Sequence, residues 1–264
     1  MVAARIPAGA AGAIAQAQVQ EVARQARAQA PAVKFCGLAS TRDVEAINAL
    51  KPNYVGFVFF EKSKRCITPS VAQELRALLD EAITTVGVFV DAPLETVVAL
   101  YNAGSIAVAQ LHGQESEAYI ATLRTAAPGL VIWKAFVAKT LGDIEAANAS
   151  SADFVLVDGG MGDGRTFQWD LLNSIERPYA LAGGLNCENV ANALAQLTPA
   201  VIDVSSGIEQ DGTSMPPRKD VHKMKTFLAE VAACTKAFAT TADDGAHAAG
   251  TAQQPEGYCY QCWR

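Results

Sequence analysis

No stretch of this 264-residue chain approaches the roughly 18 consecutive apolar residues that a membrane-crossing helix requires. Its apolar bursts are short and bounded by polar or turn residues, so no contact with a membrane is expected. An excess of positive charge is also missing: 21 Lys and Arg stand against 27 Asp and Glu, a net charge of −6. Nonspecific nucleic-acid binding draws on clustered basic side chains, so nucleic acid is not an expected partner, and any anionic ligand must be held by local features. Neither a Walker sequence, a Rossmann fingerprint nor a Ser–His–Asp arrangement can be assembled. Close metal-ligand spacing is confined to Cys259 and Cys262 in "CYQCW", a lone CxxC without the second pair of a structural zinc site. A metal site is not expected. The six cysteines are unevenly spaced and lie mostly in apolar segments, which reads as reduced thiols and a cytoplasmic location. No central Pro/Gly/Ser tract divides the chain, and with half its residues hydrophobic it can bury one large α/β core.

Residues 1–31 are rich in alanine, with Arg5, Arg24 and Arg27 set against Glu21. The first 30 residues have no serine and no compact apolar core, which favours a helical or frayed extension over a targeting signal. Residues 236–264 are dominated by small and polar residues and are expected to form a disordered tail. Between them, residues 32–235 alternate. "AVKFCG", "YVGFVF", "TTVGVFV", "IAVAQLHG", "VIWKAFV", "DFVLVDGG", "YALAGG" and "VIDVSSG" read as eight strands, separated by segments of helical spacing such as Val71–Leu79 and Val190–Leu197. Right-handed crossovers between parallel strands wind an open sheet or close a barrel, and a count of eight favours a (β/α)8 TIM barrel.

In such a barrel chemistry sits at the carboxyl ends of the strands, where Cys36, Arg65, His112, Asp158, Gly183, Asp203 and Ser205 all fall. The last two strands end in Gly183–Gly184 and in Ser205, Ser206 and Gly207. Glycines let backbone approach a ligand, and exposed amides with a helix entered through Asn186 suit a phosphate. Cys36 and Asp158 stand out as a base and an acid. Lys34, two residues from Cys36, shares its face and is expected to lower the thiol pKa, while partial burial is expected to raise that of Asp158. Taken alone, Cys36 reads more readily as core filler than as a base, Arg65 as a solvated loop charge or a carboxylate partner, and His112 as a satisfied strand end or a ligand contact. Asp203 has the same claim to function as Asp158, or could orient a substrate hydroxyl.

The ordered motifs "KFCGL", "YVGFVFFEKSKRCIT", "VGVFV", "QLHG", "VLVD", "GRTFQWDLL", "LAGGL" and "DVSSGIE" closely resemble the phosphoribosylanthranilate isomerase family, over roughly Val33 to Val231. The resemblance implies the eight-stranded barrel and an aldose–ketose isomerase of tryptophan biosynthesis that uses no cofactor or metal. The reaction is an Amadori rearrangement of N-(5-phosphoribosyl)anthranilate to 1-(2-carboxyphenylamino)-1-deoxyribulose 5-phosphate. By similarity Asp158 is the general acid on the ribose ring oxygen and Cys36 the general base at the second sugar carbon. Arg65 would pair with the anthranilate carboxylate, Asp203 would hold a hydroxyl or amine, and amides around Gly184 and Ser205–Gly207 would hold phosphate. Gly37 would let the chain leave its strand without crowding the substrate.

Where the family usually has a Gly-Gly-x-Gly run, this chain reads Met161, Gly162, Asp163, Gly164, and Gln168 replaces a common acid. The extra charge of Asp163 argues against that loop touching the phosphate. The alternatives are a histidine-pathway or dual-substrate aminoaldose isomerase, in which an aspartate serves as base at the end of the first strand, and a phosphate-binding barrel without activity. A phosphorylated small molecule is the expected partner, with association to other tryptophan-pathway enzymes left open.

Overall fold

The computed structural model describes residues 30–159 and 169–244. The extension before residue 30, the loop carrying Met161 to Gln168 and the CxxC at Cys259 and Cys262 lie outside the described residues. Eight parallel strands close a barrel in sequence order: β1 Ala32–Cys36, β2 Tyr54–Val58, β3 Thr84–Phe89, β4 Val108–Leu111, β5 Val131–Val137, β6 Phe154–Asp158, β7 Tyr179–Ala182 and β8 Val201–Val204. Each coincides with one of the eight apolar runs, and pairing of Lys34 with Asp203 closes β1 onto β8.

The helices are α1 Val44–Leu50, α2 Pro69–Leu78, α3 Leu94–Asn102, α4 Glu117–Ala126, α5 Leu141–Ala149, α6 Val190–Gln196 and α7 Val221–Asp244. A short 3₁₀ turn, Trp169–Ser174, follows β6. Capping explains several starts. The Thr68 side chain accepts from the Val71 amide with Pro69 behind it, so α2 begins before the apolar spacing does. Thr140 and Asp143 cap one another at the head of α5. The helix after β7 starts at Val190 rather than at Asn186: the Asn186 side chain accepts from the Glu188 and Asn189 amides and holds the intervening residues in a turn. Helix α7 runs across residue 236 to Asp244, through a stretch in which alanine, the best helix former, recurs. Among the described residues no helix is long and apolar enough to cross a membrane.

Side chains two apart on a strand share a face, which divides the core in two. Phe35, Phe57, Ile132 and Ile202 point outward and pack against the helices. Ala32, Tyr54, Val86, Trp133, Phe154 and Val201 fill the barrel interior, with Tyr54 edge-on to Trp133 at a centroid distance of 5.1 Å. Above this apolar plug the inward positions turn polar, at Lys34, Gln110, Asp158 and Asp203. The plug is therefore the floor of a site at the carboxyl ends of the strands.

Candidate active site

A cleft of about 310 Å³ opens at those strand ends. Its wall includes Cys36 from β1, Arg65 after β2, His112 after β4, Asp158 from β6, Gly183 and Gly184 after β7, and Asp203, Ser205 and Ser206 at the end of β8; Gly207 lies outside it.

Cys36 sits on top of a buried ion pair. Lys34 Nζ lies 2.8 Å from Asp203 Oδ2, with side-chain exposures of 0% and 7%. The thiol is not lowered as its proximity to Lys34 suggested. Burial is the largest influence and pushes it up; Lys34 and Lys219 oppose that, Asp203 adds to it, and the net direction is upward. The charge beside the thiol was legible, but the depth at which both lie was not. Lys34 itself is pushed down by burial yet ends raised, because Asp203 and Cys36 outweigh it, so it stays an ammonium. The other oxygen of Asp203, Oδ1, is buried and has no hydrogen-bond partner among the described residues. An acceptor left open at a cleft wall suits a ligand donor.

Opposite chemistry gathers around β6. Asp158 ends the strand with 27% of its side chain exposed, and His112 Nε2 lies 3.5 Å from its Oδ2. The Gln110 side-chain amide lies 3.1 Å from His112 Nδ1 and orients the ring so that Nε2 faces the carboxylate. His112 thus faces the cleft and contacts the acid. Its loop is anchored from outside the barrel: buried Lys134 donates to the Gly113 carbonyl at 2.7 Å and to Glu115 at 3.0 Å. Sequence reasoning passed over Gln110, although its position two residues before His112 on one face was the available signal.

Arg65 reaches the cleft with one edge already engaged. Its Nε and Nη2 donate to the two oxygens of Glu209 at 2.5 and 2.9 Å. Glu209 belongs to the quoted "DVSSGIE", yet no role was read for it, and Lys219 behind it was also missed. Gly37 makes room for the Arg65 side chain. It adopts φ +80°, and a Cβ there would run into Arg65 Cδ.

Gly183 and Gly184 have φ of +97° and +63° at the end of β7. The β7 and β8 loops touch: Asn186 bridges to Gly207, where a Cβ would strike the Leu185 carbonyl. Ser205 Oγ donates to the Cys36 carbonyl at 3.1 Å, tying this corner to β1. The ends of β7 and β8 therefore meet on the cleft wall that also holds Cys36, with small residues that let a ligand approach the backbone, an arrangement suited to an anion. The corner is made by strand ends; α6 begins further along the chain. Among the described residues no cluster of three or more His, Cys, Asp or Glu side chains is arranged to hold a metal ion.

A family model described as N-(5'-phosphoribosyl)anthranilate (PRA) isomerase matches residues 33–230. The N-(5'-phosphoribosyl)anthranilate isomerase of Thermoanaerobacter sp. (strain X514) is 40% identical over 206 residues, covering 75% of this chain and 97% of that protein. The phosphoribosyl anthranilate isomerase of Thermotoga maritima superposes with a TM-score of 0.67 at 32% identity, over 76% of this chain and 98% of its own. Another phosphoribosyl anthranilate isomerase, solved with reduced 1-(o-carboxyphenylamino)-1-deoxyribulose 5-phosphate, superposes at 0.65, 32% identical over 76% and 98% of the two chains.

Proposed function

The chain belongs to the N-(5'-phosphoribosyl)anthranilate isomerase family, and from that membership we infer how its own residues carry out the family's reaction. It is an aldose–ketose isomerase of tryptophan biosynthesis, acting on a phosphorylated small molecule. In our assignment Asp158 gives its proton to the ribose ring oxygen as the bond from that oxygen to the first sugar carbon breaks. The lone pair of the anthranilate nitrogen moves in to form an iminium ion.

Cys36, as thiolate, then takes the proton from the second sugar carbon, and the electron pair neutralises the iminium to give an enolamine. Tautomerisation of the enolamine yields the ketone. The iminium acidifies that C–H bond, so a modest base suffices. Lys34 keeps a positive charge under the thiol, which limits the cost of the thiolate in a buried site. Asp203 Oδ1, open and buried, is assigned to a substrate hydroxyl or amine, and Arg65 and His112 to substrate binding. Gly183, Gly184 and Ser205 to Gly207 are assigned to the phosphate.

The observation that carries this reading is that Cys36 and Asp158, on strands β1 and β6, line one cleft with Gly183 and Gly184 after β7 and Ser205 and Ser206 after β8. The test follows loss of substrate fluorescence for the wild type, Cys36→Ser and Asp158→Asn. Each variant should stay folded and lose about 10²- to 10⁴-fold in kcat, the usual contribution of one positioned acid or base. A wild-type rate in either variant would remove that residue from the mechanism. We also place the enzyme in the cytoplasm, a reading supported by the free thiols of Cys36, Cys66, Cys187 and Cys234.

A further inference from the structure

We propose that Glu209 is a positioning residue that presents Arg65 to the substrate's carboxylate, and that Lys219 beneath it links this carboxylate subsite to the phosphate subsite. The inference rests on the assignment of Arg65 made above. Glu209 is a single carboxylate, its side chain 7% exposed, faced by three cations. Arg65 engages both its oxygens, Lys219 Nζ lies 3.4 Å from Oε1, and Lys64 Nζ lies 3.7 Å from Oε2. In a chain of net charge −6, this cluster leaves a local surplus of positive charge beside a cleft meant for an anion.

The geometry of the Arg65 contact decides what remains for a ligand. Glu209 takes the Nε and Nη2 edge of the guanidinium, which has five N–H donors in a fixed plane. Pinning one edge fixes the plane, so the Nη1 side has a set direction when a second carboxylate arrives. A guanidinium on a free arginine stem would have to give up rotamer freedom at that moment.

Lys219 carries the link onward. It is 1% exposed and, besides Glu209, donates to the Ser205 carbonyl at 3.1 Å. Ser205 in turn bonds the Cys36 carbonyl. One contiguous chain, Arg65–Glu209–Lys219–Ser205–Cys36, thus joins the two anion subsites and the end of the strand bearing the base. Fold stability alone does not call for such an arrangement, because apolar replacements of buried ion pairs are often neutral or stabilising.

The test uses two reduced substrate analogues, N-aryl-1-amino-1-deoxypentitol 5-phosphates, one bearing the ring carboxylate and one a plain phenyl ring. Calorimetric Kd values are measured for wild type, Arg65→Gln, Glu209→Gln, Glu209→Asp and Lys219→Met, with a thermal melt of each. Wild type should prefer the carboxylate-bearing analogue. Glu209→Gln should weaken that analogue by about ten-fold or more, leave the phenyl analogue unchanged, and raise KM more than it lowers kcat. Glu209→Asp, which keeps the charge, should recover part of the preference, and carries the comparison if Glu209→Gln does not fold. Lys219→Met should weaken both analogues. If Arg65→Gln abolishes the preference while the Glu209 variants weaken both analogues equally or neither, the positioning role is wrong. If Arg65→Gln keeps the preference, the assignment of Arg65 itself fails. Loss of only one analogue in Lys219→Met would remove the link between subsites.

Discussion

Gly37 and Gly104 form a natural pair of probes. Both have positive φ, +80° and +69°, but a Cβ on Gly37 runs into Arg65 while a Cβ on Gly104 meets nothing within 4 Å. Alanine at either position incurs the left-handed backbone penalty of about 1–2 kcal/mol. At Gly37 overpacking adds about 1–3 kcal/mol, which the chain relieves by moving the Arg65 side chain. For a domain of this size each kcal/mol is worth about 2–4 °C in Tm, so Gly104→Ala should melt about 2–8 °C lower with unchanged kinetics. Gly37→Ala should melt at least as low and also lose a charge-assisted contact to the substrate, about 1.5–3 kcal/mol, or roughly 10- to 150-fold in kcat/KM. The loss should fall mainly on KM, because our assignment gives Arg65 a substrate-holding role and no part in moving protons. Steady-state kinetics of the two variants, beside differential scanning calorimetry, make the comparison. A Gly37→Ala enzyme whose KM equals that of Gly104→Ala would show that Arg65 is not displaced from a substrate contact, since the shared backbone penalty would then be the whole effect.

Lys34→Met should destabilise by about 3–5 kcal/mol, because it leaves the Asp203 carboxylate buried beside no cation, and Lys34→Met with Asp203→Leu should recover much of that. Denaturant midpoints measure it, and additive losses would contradict the pairing. The Glu209 carboxyl is affected most by burial, which raises it, but Arg65 and Lys219 together hold it below the ordinary value of 4.5. A lowered folded pKa stabilises the native state above the unfolded value and is lost as pH falls through the folded one. The stability gap between wild type and Glu209→Gln should therefore be full above about pH 4.5 and close only in more acid solution. A gap independent of pH from 3 to 6, in urea titrations, would mean that Glu209 gains nothing from its cations.

The strands were legible because parallel barrel strands are covered on both faces, so runs such as Val131–Val137 and Phe154–Asp158 are almost continuously apolar. Residues at or just after the end of each run then fall at the carboxyl-end face by topology alone, which made Cys36, His112 and Asp158 legible as candidates. Helix entry after β7 was misplaced because Asn186 has the composition of a cap but spends its side chain on a turn. Glu209 went unassigned for a different reason: its partner Arg65 is 144 residues away, and a glutamate in a polar loop has no periodicity to betray its burial. The direction of the Cys36 shift was misjudged on the same ground, since sequence shows the neighbouring lysine but not how little water reaches either group.

Whether the group at position 36 is the base is read from the pH dependence of kcat/KM for wild type and Cys36→Asp. A buried thiol raised above its ordinary value of 9.0 should give the wild type a rate that climbs into alkaline solution. Replacing it with a carboxyl, ordinarily near pKa ~3.9, should leave measurable activity whose rising limb moves toward acid by several units. A limb that stays in place, with activity retained, would show that some other group takes the proton.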